Sequence, residues 1–293
     1  MIFISGAAGN FGRATINHLL TTYKVPASQI IAGTRDPAKL ADLAAKGITI
    51  RKADFDDEAG LTKALAGVER FLIISTDSLD RPGRRLEQHS RAVKAAEAAG
   101  VKHVVYTSMP RPETSAVLFA PDHLGTEEAI AASKIPNQHI LRNNWYFENL
   151  LHSLPQALKS GTHYSSAGHG KFAHIGRDDL ARAAAATLAS GITGKHTYTL
   201  SGGKAYTIDE VAALASKAAN KPIKVVHVPV SGLVQGMIGA GLPEPVARVF
   251  ASFDENIAIG GLEGDTKDFK TVTGVEPQAF EVWLKNNITA LTA

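Results

Sequence analysis

A doubly wound α/β fold on a parallel sheet is what this 293-residue sequence predicts. Three observations carry that expectation. Short apolar runs alternate with Ala-, Leu- and Lys-rich helical runs from the first residue to about Asn149, the pattern of a parallel sheet covered on both faces. The punctuation agrees: Asp36-Pro37 reads as an N-cap followed by a first-turn proline, and Gly47 and Gly100 stand where helices should stop. Lastly, the first strand ends at three glycines spaced three apart, Gly6, Gly9 and Gly12, with a helical run directly behind them.

Taken in order, strands are expected at 2–5, 30–34, 48–52, 71–75, 103–108 and 138–142. Helices are expected between them at 11–23, 37–46, 58–66, 84–99 and 121–133. The second half is less regular. "GRDDLARAAAATLAS" reads as a helix with Asp178 and Asp179 in its first turn, where the macrodipole favours negative charge. "HTYTLSG" alternates like a strand, and "TIDEVAALASKAANKP" is a helix closed by Asn220 and Pro222. "IKVVHVPV" is a further strand, and a last helix covers about 277–291. The expected division is a nucleotide-binding part at 1–150 and, at 151–293, the remaining sheet elements with a small α+β subdomain on the substrate side.

Composition narrows the function. Hydrophobic residues make up 44% and charged residues 20% of the chain, and the net charge is only +3, which gives a nucleic-acid role no support. There is no cysteine, so disulfides, thiolate metal sites and cysteine nucleophiles are excluded. No apolar run approaches the ~18 residues of a membrane span. No leader pattern precedes the first strand, so a cytoplasmic location is expected. His163, His169 and His174 lack ligand spacing, and no metal is expected.

The glycine spacing suits a phosphate-binding turn of the Rossmann type. Gly6 makes the sharp turn, Gly9 lets a pyrophosphate approach, and Gly12 brings helix against strand. Ala8, Asn10 and Phe11 belong to the same loop, and free amides at the helix start face the phosphates. At the end of the second strand, "IIAGTRDPAK" offers Arg35, whose fork of donors suits the extra phosphate of NADP. Asp36 is the competing reader but is expected to cap the next helix. Asp54 has two readings, adenine acceptor or helix cap. Ser75 and Thr76 close the fourth strand at the edge where ligands bind.

None of the six tyrosines (Tyr23, Tyr106, Tyr146, Tyr164, Tyr198, Tyr206) has lysine four residues later. The tyrosine–lysine dyad of simple ketone reductases is therefore absent. "SGAAGNFG", "VPASQIIAGTRDPAK", "KAAEAAGVKHVVYTS", "DHLGTEEAI" and "LRNNWYFEN" resemble the atypical, NmrA-like short-chain dehydrogenases. Within them, the resemblance is to the bacterial NADPH-dependent quinone oxidoreductase (type 2) and triphenylmethane reductase group. It implies NADPH rather than NADH as cofactor, no flavin, and a flat conjugated acceptor such as a quinone or dye. Some NmrA-like relatives are instead NADP(H)-binding redox sensors that regulate a partner without turnover.

The same resemblance places His123 and Glu127 where the tyrosine–lysine pair would stand. Their spacing of four puts both on one helix face. One reading has His123 donating to an acceptor oxygen with Glu127 orienting it; the other is a surface pair. Ser108 is expected near the nicotinamide. Asn143, Trp145, Tyr146 and Phe147 offer amides and aromatic faces for a planar acceptor, with core packing the competing reading for the aromatics and Tyr146 the better ligand candidate. The uncharged segment 231–243 reads as a lid, a subunit contact or core. A monomer or homodimer is expected.

Overall fold

The structure is a computed structural model that describes residues 1–78, 81–264 and 267–292. The first half runs β1 (Ile2–Ile4), α1 (Asn10–Thr21), β2 (Ile30–Thr34), α2 (Ala41–Ala44), β3 (Thr49–Lys52), α3 (Glu58–Ala64), β4 (Arg70–Ile73), α4 (Arg84–Ala98), β5 (His103–Ser108), α5 (Ala120–Ala132) and β6 (Asn137–Asn143). The expected helix at 37–46 divides into a 3-10 turn, Pro37–Leu40, and the single turn α2. Leu40, at φ −120° and ψ 20°, leaves helical geometry between them.

After β6 come α6 (Leu154–Ser160), β7 (Thr162–Ser165), β8 (Lys171–Phe172), α7 (Arg177–Ala189), β9 (Lys195–Leu200), β10 (Tyr206–Thr207) and α8 (Ile208–Ala219). The chain ends with β11 (Lys224–His227), α9 (Val230–Gly239), α10 (Glu244–Ala258), α11 (Asp268–Thr273) and α12 (Phe280–Thr292). Seven strands form one parallel sheet in the order β3-β2-β1-β4-β5-β6-β9. The chain crosses from one side of β1 to the other between β3 and β4. That reversal opens a crevice at the carboxyl ends of β1 and β4.

Side chains of a strand alternate between faces, and β1 divides accordingly. Ile2 and Ile4 join one core with α1, α7 and Phe269 of α11, whereas Phe3 joins the other with α3, α4 and α5. Ala183, Ala184 and Ala185 of α7 are fully buried, and such small side chains let α7 lie close against α1 and the sheet. Tyr106 of β5 points to the α4–α5 face, which matters below. Outside the sheet, Phe147, Leu154, Phe172, Phe280 and Trp283 centre a further core that gathers α6, α8 and α12. The segment 231–243 lies mostly in α9, whose Leu233 and Val234 pack on Ala247 and Ala251 of α10.

Candidate active site

The three glycines do three different jobs. Gly6 has φ +58°, a left-handed conformation that side chains resist. A Cβ on Gly12 would lie 2.5 Å from the Gly6 carbonyl and 2.8 Å from the Ala7 Cα, so helix and loop touch backbone to backbone there. Gly9 is different. A Cβ on it would meet only the Gly6 carbonyl, at 3.4 Å, so the protein alone barely requires glycine. Gly9 is also the N-cap of α1, with no side chain capping the helix and no acid in its first turn. A cradle free of side chains, ending in helix amides, fits a pyrophosphate.

A cleft of about 570 Å³ opens over this loop. Gly6, Ala8, Gly9, Asn10, Phe11 and Gly12 line it, and so do Arg35, Asp54, Ser75 and Thr76. Asp36 is committed elsewhere: its carboxylate accepts the Ala38 amide at 3.1 Å and caps the 3-10 turn. Asp54 does not cap α3, because Asp57 does. One Asp54 oxygen accepts the Asp56 amide at 3.0 Å, and the residue lines the cleft. Thr76 is fixed from behind: its amide donates to His89 Nε2 (3.0 Å) and its hydroxyl to Gln88 Oε1 (2.8 Å). Arg177, at the start of α7, also lines the cleft, its guanidinium 5.6 Å from the Tyr146 ring centre. Sequence reading missed it.

Ser75 also lines a second pocket, of about 190 Å³, so the two cavities meet there. Ser108, His123, Asn143, Trp145 and Tyr146 line this pocket, together with Arg85, Phe119 and Phe253. Trp145 packs on Phe253 of α10 with ring centres 4.0 Å apart, so its wall role and its packing role coincide. Burial raises the pKa of the Tyr146 hydroxyl, which keeps it protonated as a donor. Tyr146 sits beside Asn143, yet neither amide atom of Asn143 completes a hydrogen bond of normal geometry. Buried amide atoms without partners are costly unless something else satisfies them.

Five expectations need correction. Phe147 does not line the pocket; it is fully buried against Phe280 and Trp283. Residue 146 bridges to Ile175 just before the 3-10 turn at Phe147–His152, so neighbouring rings part company. Ser108 lies in the second pocket, its hydroxyl donating to Glu127 at 2.6 Å. Glu127 does not orient His123, because Arg142 holds it with two hydrogen bonds, at 3.0 and 2.7 Å. His123 is not placed as a proton donor. Its Nδ1 pairs with the Tyr106 hydroxyl at 2.8 Å and its Nε2 with Arg85 at 3.0 Å. Guanidinium only donates, so Nε2 accepts and the proton sits on Nδ1. Burial lowers the His123 pKa well below its usual value, and the ring is neutral. The segment 231–243 lines neither cavity; Phe253 of α10 takes that place.

Sequence reading also missed Arg85. It lies in the first turn of α4 and is only 6% exposed. Its spacing gave a signal: Arg85, Gln88, His89, Ala92, Val93 and Ala96 recur at helical intervals and form the buried face of α4. Burial pulls its pKa below the usual arginine value.

Fold and cleft define a nucleotide-binding α/β protein of the Rossmann type, with a second pocket opening from the cleft. More narrowly, the chain belongs to the NmrA-like family, whose model matches residues 1–283. Quinone oxidoreductase 2 of Escherichia coli is 42% identical over 275 residues, 94% of each chain. The crystal structure of the E. coli NADPH-dependent quinone oxidoreductase in complex with NADPH superposes over the whole of both chains with a TM-score of 0.92 and 38% identity. Triphenylmethane reductase of Citrobacter sp., complexed with NADP(H), gives 0.91 and 34% over 98% of this chain and 99% of that one. Among the described residues, no helix is long and apolar enough to cross a membrane, and no group of three or more His, Asp or Glu could hold a metal.

Proposed function

We propose that this protein is an NADPH-dependent oxidoreductase that passes hydride directly to quinones or similar flat conjugated acceptors, dyes included. The observation that carries this reading is the junction at Ser75, where the glycine-loop cleft opens into an aromatic-walled pocket. The relatives named above, a quinone oxidoreductase and a dye reductase, support it.

The α1 amides and Gly9 would hold the pyrophosphate of the dinucleotide, Arg35 the 2′-phosphate, and Asp54 the adenine end. Asp36 being spent as a cap favours NADPH over NADH. When bound, the reduced nicotinamide supplies two electrons and a proton as hydride, so no flavin is required. The protein contributes proximity and orientation. Trp145, Phe119 and Phe253 give flat apolar walls that exclude water, while Asn143 and Tyr146 offer polar contacts. No tyrosine–lysine acid is needed, because a reduced quinone is a delocalised anion that solvent can protonate.

The test is NADPH oxidation by the purified protein with benzoquinone, menadione and a cationic dye. Turnover is expected, faster with NADPH than with NADH. Tight NADPH binding with no turnover on any acceptor would replace this reading with that of a redox sensor.

A further inference from the structure

Arg142 and Arg85 both lie toward the acceptor pocket, and they are treated differently. Arg142 is paired with Glu127 at 2.7 Å and Glu113 at 3.3 Å. Arg85 has no carboxylate within 4 Å among the described residues; Asp122 and Asp77 act on it only from farther away. Its Nη1 meets His123, its Nε is buried without a partner, and its guanidinium carbon stands 4.5 Å from the centre of the Phe119 ring. Each of these neighbours is neutral. A buried cation with donors unspent, facing a cavity, is costly unless the cavity's occupant brings negative charge.

The network behind Arg85 holds it still. The Thr76 amide donates to His89 Nε2, so His89 carries its proton on Nδ1 and passes a hydrogen bond to the Thr126 hydroxyl, 2.9 Å away. Thr126 in turn donates to the Asp122 carbonyl at 2.6 Å. Tyr106 receives the His123 Nδ1 proton, and the His123 lone pair fixes Nη1. The titratable groups facing Arg85 thus include His89, His123, Tyr106, Tyr146, Asp122 and Asp77. The histidines and tyrosines serve as a neutral scaffold.

We propose that Arg85 receives the negative charge an acceptor acquires on reduction, so that the pocket favours neutral acceptors that become anionic over acceptors that start cationic. The proposal rests on the reductase reading above. In the reaction a C–H bond of the reduced nicotinamide breaks and its hydride, with both electrons, bonds to the quinone. NADP⁺ and the hydroquinone monoanion result, and a proton from solvent completes the hydroquinone. The monoanion forms beside a guanidinium in a site of low dielectric, where opposite charge is worth most. A cationic triphenylmethane dye begins with like charges together and ends neutral, so Arg85 opposes its binding and gives its reduction no help.

Two measurements test this. The first needs no turnover: 4-nitrophenol is titrated into the NADP⁺ complex and its ionisation followed by absorbance. Bound to the wild type it should ionise at lower pH than in solution, and in Arg85→Gln that shift should vanish, while Arg85→Lys keeps part of it. The second compares menadione with a cationic triphenylmethane dye. Arg85→Gln should lower kcat/KM for menadione by about 100-fold, the usual cost of one oxyanion donor, with dye turnover unchanged or raised and NADPH affinity unchanged. Should the Gln variant fail to bind NADPH as a folded protein does, Arg85→Met takes its place in both measurements. Equal losses on both acceptors, an unchanged menadione rate, or nitrophenol ionising alike in wild type and variant would overturn the proposal. Wild-type protein that reduces neither acceptor overturns the reductase reading instead, and the nitrophenol titration still decides Arg85.

Discussion

The two cavities that meet at Ser75 are built from different material. The cleft over the glycine loop is shaped by main chain: a left-handed Gly6, a backbone contact at Gly12 and the uncapped start of α1. The second pocket is shaped by side chains from α4, α5 and α10 and from the segments after β5 and β6. Main-chain geometry is written locally, in glycines at fixed spacing. A side-chain pocket is written in pairings between residues far apart in sequence, such as Arg85 with His123 and Arg142 with Glu127.

The largest expected effect tests whether the cleft depends on backbone in this way. Gly12→Val drives a branched side chain into the Gly6 carbonyl and the Ala7 Cα, neither of which can give way. The cost should reach or exceed about 3 kcal/mol, enough to lose soluble folded protein. Gly9→Ala should behave oppositely, since its φ of −79° and ψ of 165° suit alanine. Its stability in urea should stay within about 0.5 kcal/mol of wild type, while NADPH affinity by fluorescence titration falls about tenfold. Equal stability losses in both variants would show that Gly9 is a packing glycine like Gly12.

On the pocket side, Arg142→Ala should cost about 3 kcal/mol in urea unfolding, because it strands the largely buried Glu127 carboxylate. NADPH affinity should not move, since neither residue lines the cleft. A change below about 0.5 kcal/mol would make this pair an ordinary surface ion pair.

How far the sequence could be read follows the same divide. The six first-half strands and the glycine turn were legible because apolar runs, glycines and the Asp36-Pro37 cap are local signals. His123 and Glu127 were misread for a physical reason. Four-residue spacing does align them on α5, but the strands beneath supply stronger partners, Tyr106 for one and Arg142 with Ser108 for the other. Within "RNNWYFEN", Trp145 and Tyr146 face the pocket while Phe147 turns into the core, a parting set by the turn after Tyr146. Arg85 hid in "RPGRRLEQHS", where neighbouring arginines suggest a solvated face, although helical spacing places it with Gln88 and His89 on the buried one.

Acid should weaken the side-chain network and, through His89, the Thr76 wall of the cleft, whose described lining itself holds no histidine. Burial depresses His89 to about 3, from an ordinary value near 6.5. Below pH 6.5 the unfolded chain binds a proton there that the folded chain refuses, so stability is complete above 6.5 and is lost as pH falls toward 3. At pH 5 the loss from His89 is about 2 kcal/mol, and His123, shifted in the same direction, adds to it. Burial depresses His103, His139, His163 and His174 in the same direction, so urea unfolding at pH 7.5 and at pH 5 measures the sum over all of them, and His89→Gln should flatten the slope by the His89 share. A slope identical in wild type and variant would assign the acid sensitivity to other groups.

The smallest effects separate two neighbours at the cleft's edge. Arg35 lines the cleft and Asp36 caps the turn beside it, so the pair tests whether a side chain can tune a cavity otherwise made of backbone. Arg35→Ala should reduce the preference for NADPH over NADH about tenfold, the loss of one charge-assisted contact to phosphate, with stability unchanged. Asp36→Ala should cost about 1 kcal/mol of stability as a lost cap and leave the preference where it was. Steady-state kinetics with both cofactors, beside urea unfolding, reads the two effects apart. If the preference follows Asp36 and ignores Arg35, the acid reads the ribose after all, and its bond to the Ala38 amide gives way when the cofactor binds.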